Sequence, residues 1–156
     1  LGAARRPLPK EASSWANALI WIVGVQMALG ALVAGLDAGR GYTDWPMMSG
    51  DFVPKAIFAL DPFWRNFFEN EATTQFLHRM TAYLLLVVAL FAAWKFRKAS
   101  VMHFPLFAGL IVAQALLGIV TLVNAAPLNL SLLHQALGTV VVLASVRLVW
   151  TSRSTA

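Results

Sequence analysis

The sequence predicts an all-α integral membrane protein: a four-helix bundle of two helix hairpins in parallel repeat, with a long outer loop carrying a short amphipathic helix. Three observations lead there. Hydrophobic residues make up 59% of the 156 and charged residues only 12%, about half the charged share of a soluble domain. Four apolar stretches are long enough to cross a bilayer core, which takes about 20 helical residues. The basic residues collect on one side of those stretches. Mean hydropathy is +0.68, far too apolar for a disordered chain. With no cysteine, disulfide frameworks, thiolate-bound zinc and iron–sulfur clusters are excluded.

Residues 1–14 form an inner-side tail or linker. Pro7 and Pro9 read as a segment entering from something upstream, and the chain opens on Leu1, not Met, as a piece of a longer polypeptide would. The membrane domain covers 15–150. Its first span, 15–36, is too long for a signal-peptide core and lacks a small-residue cleavage pattern. Gly35 and Gly39, at the end of the first span and the start of the outer loop, 37–75, suit a helix C-cap and tight turn. Further on, Trp45 is held extended before Pro46. Asp61 and Pro62 then read as N-cap and first residue of a short helix through Phe68, whose aromatics suit the headgroup layer. The second span is 76–94, the third 104–123 and the fourth 132–150, with 151–156 as an inner tail. Runs this long without strict alternation are helices, because only helices and closed barrels satisfy their backbone in lipid.

Charge sets the orientation. Arg5, Arg6, Lys10, Lys95, Arg97, Lys98, Arg147 and Arg153 lie on one side, whereas six of the seven acids lie in the first loop. The positive-inside rule places both termini in the cytoplasm, or in the matrix of a mitochondrion. Arg147 is near enough to its helix end to snorkel toward the headgroups. The net charge of +5 thus marks orientation in lipid and does not point to nucleic acid.

The spans repeat as hairpins. Gln26-x-x-x-Gly30 in the first matches Gln114-x-x-x-Gly118 in the third; Phe76-Leu77-His78-Arg79 opens the second as Leu132-Leu133-His134-Gln135 opens the fourth. Spans one and three run outward, two and four inward. The repeat axis therefore lies along the membrane normal, and equivalent residues face each other across a bundle.

That symmetry singles out His78 and His134, each expected in the first turn or so of an inward-running helix. His103 sits beside the basic connection and reads as interfacial, without a ligand role. An ionisable group inside a membrane is a functional hypothesis by default. Two polar helix starts at a water interface is the plainer reading of the pair. Against it stand their equivalence in the repeat and a small residue four positions after each, Ala82 and Gly138, which would leave room for a flat macrocycle. Imidazoles from opposite helices suit both axial positions of one haem iron, so His78 and His134 are the expected metal ligands and haem b the expected cofactor. Covalent attachment as c-type haem would need a Cys-x-x-Cys-His run. Arg79 is placed to pair with a propionate, and Gln26 and Gln114 to hydrogen-bond across the bundle.

These residues also resemble the haem A synthase family. The likeness runs through Gly30 to Gly39, Trp45-Pro46-Met47-Met48, Phe52-Val53-Pro54, Asn66 to Asn70, Gln75 to Tyr83, Gln114 to Leu122 and His134-Gln135. It covers nearly everything from about Gly24 onward. The lack of cysteine is similar to the mitochondrial and proteobacterial branch, which implies a bacterial plasma membrane or a mitochondrial inner membrane. The resemblance implies the C-terminal four-helix half of an eight-span enzyme that oxidises the C8 methyl of haem O to a formyl group for cytochrome oxidase. It also implies haem b between His78 and His134. Its implied partners are the haem O substrate, the N-terminal half of the same enzyme, a haem O synthase, an electron acceptor and membrane lipid, with homo-oligomerisation left open. The N-terminal half of the family carries a Glu three residues before its first histidine, where this chain has Gln75; an amide cannot act as a general base. Catalytic residues are therefore expected in the other half. The alternatives are a stand-alone bis-histidine b-type cytochrome and a membrane assembly factor without haem. A second four-span unit upstream, with a Glu-x-x-His-Arg run, would discriminate them.

Overall fold

The computed structural model describes residues 11–98 and 103–153, so the first ten and last three residues lie outside the described chain. Four helices are each long and apolar enough to cross a membrane: α1 (Glu11–Gly35), α3 (Glu71–Lys95), α4 (His103–Val123) and α5 (Leu128–Arg153). The protein is a multi-pass all-α membrane protein. A short α2 (Asn66–Glu69) continues a 3₁₀ turn at Phe63–Arg65. Among the described residues the only β feature is an isolated bridge between Met48 and Asp51.

Three helices begin about a turn earlier than hydropathy alone predicts, α1 starting at Glu11 within the expected 1–14 tail. Asn70 caps α3, its side chain accepting from the Thr73 amide at 3.1 Å, so the polar run from Glu71 to Gln75 is already helical. Likewise α5 starts at Leu128, directly after Pro127. Loop details differ as well. The left-handed residue after α1 is Asp37 (φ 52°), not a glycine, and its carboxylate pairs with Arg40 at 3.1 Å. Gly39 serves close approach instead: a Cβ there would lie 3.0 Å from Ala126 Cβ, in the α4–α5 turn. Pro62, not Asp61, occupies the cap position of the 3₁₀ turn, without a side-chain cap bond.

The four long helices form a closed ring in which α1 packs on α3, α3 on α4, α4 on α5 and α5 on α1. This leaves α3 and α5 diagonally opposed. The end of the bundle bearing the chain termini is tied by Lys95 Nζ to Glu11 at 2.8 Å and by Arg153 donating to Asn17 Oδ1 at 3.0 Å. Phe96 and Phe104 stack there, 4.6 Å between centroids.

The core is not uniform along the bundle. Buried apolar side chains of the four helices, Ala12 to Val23, Leu85 to Ala92, Phe104 to Ile111, and Val141 with Leu148, all lie in the half nearer the termini. Toward the loop end the helices bury Thr73, Thr74, Gln75, Arg79, Thr121 and Gly138, with Ala72 beside the cap. Oil-like packing fills one half; polar groups and small residues frame the other.

Candidate functional site

His78 and His134 sit in that second half, on the diagonal helices α3 and α5. Because both helices start early, the histidines lie about two turns in, roughly 9–10 Å from the helix start, deeper than the first turn expected from sequence. Among the described residues no cluster of three or more His, Cys, Asp or Glu could hold a bare metal ion.

Each ring is faced by the glycine of the repeated motif on the neighbouring helix, α1 or α4. A Cβ on Gly30 would come 3.2 Å from His78 Cε1, and one on Gly118 only 2.9 Å from His134 Cε1. Gly30 and Gly118 therefore make the space for the imidazole rings, a role distinct from the macrocycle space expected from Ala82 and Gly138. Gly138 has another neighbour: its missing Cβ leaves room for the Gln114 amide nitrogen, which a Cβ would approach to 3.2 Å.

The two glutamines act within their own hairpins and not across the bundle. Gln26 Nε2 lies 3.1 Å from His78 Nδ1 and 3.2 Å from Nε2, and donates to the ring. Gln114 Nε2 donates instead to the His134 carbonyl at 3.0 Å. Four buried polar atoms here lack a hydrogen-bond partner: Gln26 Oε1, Gln114 Oε1, His134 Nδ1 and Arg79 Nε. Such atoms are costly to leave unpaired. Unpaired donors and acceptors, two opposed imidazoles and a glycine-cleared wall fit a flat, polar-edged macrocycle with a metal centre.

Arg79 is placed differently from a simple propionate partner. It is 7% exposed, and four of its N–H groups are engaged. Nη1 donates to the carbonyls of Asp44 (3.0 Å) and Met47 (2.9 Å), and Nη2 to the Tyr42 carbonyl (3.0 Å) and Gln75 Oε1 (3.0 Å). Only Nε is left. Gln75, 2% exposed, uses its own amide to donate to Ala38 O at 2.7 Å and Tyr42 O at 3.2 Å. Sequence reasoning missed this clamp, although the i, i+4 spacing of Gln75 and Arg79 was its signal. The loop it holds is also pinned by Trp45 Nε1 donating to Tyr83 Oη at 2.9 Å. Asp44 accepts from the amides of Ser49 and Gly50, which hold its carboxyl below the usual carboxylate range. His103 begins α4 at the opposite end of the bundle, away from this site.

The sequence profile described as cytochrome oxidase assembly protein matches residues 2–146. Among curated relatives, a haem A synthase of Hyphomonas neptunium is 51% identical over 147 residues, covering 94% of this chain and 42% of its own length. One from Dinoroseobacter shibae is 46% identical over 136 residues (85% and 36%). Another, from Brucella ovis, is 41% identical over 143 residues (88% and 40%). The chain thus spans about two fifths of the length of these relatives. No solved structure matches it. With the profile covering nearly every residue and the histidine-bearing helices included, the chain belongs to the cytochrome oxidase assembly family of the haem A synthases.

Proposed function

We propose that this chain is the cofactor-binding half of a haem A synthase, holding one haem b between His78 and His134. The whole enzyme would oxidise the C8 methyl of haem O to a formyl group for cytochrome oxidase. The observation that carries the reading is the placement of two repeat-related histidines on diagonal helices, each opposite a glycine, in the polar half of the bundle. Haem held there by His78 and His134 would supply one-electron transfer.

The chain's own residues have defined tasks in this reading. Gln26 orients the His78 imidazole; rotated so that Oε1 faces Nδ1, its amide accepts the ring proton and leaves Nε2 as the ligand atom. Gln114 fixes the first turns of α5 through the His134 carbonyl. Arg79 and Gln75 hold the outer loop over the site, and Arg79 Nε is the donor that remains for a propionate. Gln75, an amide bonded to two carbonyls, cannot act as a general base, so in this reading methyl oxidation belongs to the other half of the enzyme. That half, haem O, a haem O synthase and an electron acceptor are the partners this reading requires. The basic end then faces the cytoplasm or matrix, in a bacterial plasma membrane or mitochondrial inner membrane. A stand-alone b-type cytochrome could use the same histidines; the greater length of the relatives favours the half-enzyme.

Pyridine haemochrome analysis with absorption spectra of the purified chain tests the proposal. One haem b per chain is expected, with low-spin bands lost in His78→Ala and in His134→Ala but kept in His103→Ala. Absence of haem b from the wild type, or equal loss in all three variants, would overturn it.

A further inference from the structure

At the opposite end of the bundle from the histidines, α4 and α5 enclose a groove of about 460 Å³. Its walls are apolar, with Leu106 and Leu110 from α4 facing Val140 and Leu143 from α5, and His103 and Arg147 stand at its basic end. Leu106, Leu143 and Val140 are all well exposed, so the groove opens toward the lipid side of the bundle. Arg147 lies six residues before the last described residue of α5, about 9 Å along the axis, near enough to the helix end for its guanidinium to snorkel to the headgroups.

Charge at this end is unbalanced. Of the seven acids in the sequence, six fall between Asp37 and Glu71, on the far side. The seventh, Glu11, is already paired with Lys95 Nζ at 2.8 Å. Among the described residues no carboxylate pairs with Arg147, and a guanidinium at a membrane surface is best satisfied by a bidentate anion such as phosphate. A basic pocket between transmembrane helices, continuous with an apolar furrow, has the shape of an anionic lipid: phosphate at the mouth, acyl chain along the leucines.

We propose that the α4–α5 groove is a binding site for an anionic phospholipid, with Arg147 on the phosphate, His103 beside it and Leu106, Leu110, Val140 and Leu143 along one acyl chain. The site is separate from the histidine pair and does not depend on haem being bound.

Native mass spectrometry of the detergent-solubilised chain, titrated with phosphatidylglycerol or phosphatidylcholine, tests it. The wild type is expected to retain one phosphatidylglycerol preferentially. Arg147→Gln should weaken that binding about fivefold, the order expected for one basic residue at a lipid surface. Val140→Trp, which fills the groove from its exposed wall and keeps the charge, should weaken phosphatidylglycerol as well. Arg153→Gln, at the same end but bonded to Asn17, should leave it unchanged. Glycerol phosphate without acyl chains should not compete at equal concentration; full competition would mean a phosphate site without the lipid groove and overturn the assignment. Equal retention of the two lipids, equal weakening by Arg147→Gln and Arg153→Gln, or a dimer without lipid adducts would also overturn it.

Discussion

Gln75 Oε1 accepts a hydrogen bond from Arg79 Nη2 at 3.0 Å, one turn along α3, and the pair holds the outer loop by five backbone contacts. Gln75 grips Ala38 and Tyr42; Arg79 grips Tyr42, Asp44 and Met47. A long loop is thereby fastened to the helix that bears His78.

Gln75→Glu should destabilise the chain although it places a carboxylate beside Arg79. The amide donates to two carbonyls, and a carboxylate offers those acceptors only repulsion. A loss of about 1–3 kcal/mol is expected for buried groups left unpaired, read from thermal or denaturant unfolding in detergent. Faster proteolysis between residues 41 and 60 should accompany it. Unchanged stability would show that the clamp is dispensable.

Arg79→Lys keeps the charge and loses the fork. One ammonium cannot reach four acceptors spread over Tyr42, Asp44, Met47 and Gln75, so a loss of about 2–3 kcal/mol is expected. The informative comparison is haem content: if Arg79 acts by holding the loop, low-spin haem stays bound while the loop becomes protease-sensitive. Loss of haem with an intact loop would assign Arg79 to the propionate instead.

Glycine substitutions should grade with distance. Gly118→Ala, whose Cβ would stand 2.9 Å from His134 Cε1, should disturb the low-spin spectrum more than Gly30→Ala, at 3.2 Å from His78 Cε1. Gly24→Ala and Gly109→Ala meet nothing within 4 Å and serve as controls. Electron paramagnetic resonance of the oxidised chain reads the order, and equal effects at all four positions would contradict the cradle.

Acid should loosen the outer loop in a defined direction. The Ser49 and Gly50 amides lower the Asp44 pKa in the folded chain. Its contribution to stability is therefore complete above the unfolded value, about pH 4, and is lost as pH falls through the depressed folded value. The Trp45 indole N–H resonance, bonded to Tyr83, should broaden on acidification below about pH 4. In Asp44→Asn this step should be missing.

Much of the architecture was legible in the chain before folding. Four apolar runs, one-sided basic residues and the paired Gln-x-x-x-Gly and Leu-His motifs are local or periodic signals. They determine the spans and the equivalence of His78 with His134, because lipid demands helices and the repeat demands like positions. Helix starts at Glu71 and Leu128 escaped, since capping by Asn70 extends a helix into polar residues that hydropathy does not register.

What only the tertiary structure decided is who faces whom. Glycines on α1 and α4 clear the space for rings on α3 and α5, Gln26 reaches an imidazole while Gln114 reaches a carbonyl, and Arg79 turns to the loop. Each depends on helix rotation and on backbone carbonyls presented by a distant segment. Spacing within one helix carries no information about the neighbour it will meet, so the candidate residues could be singled out in sequence but their partners could not.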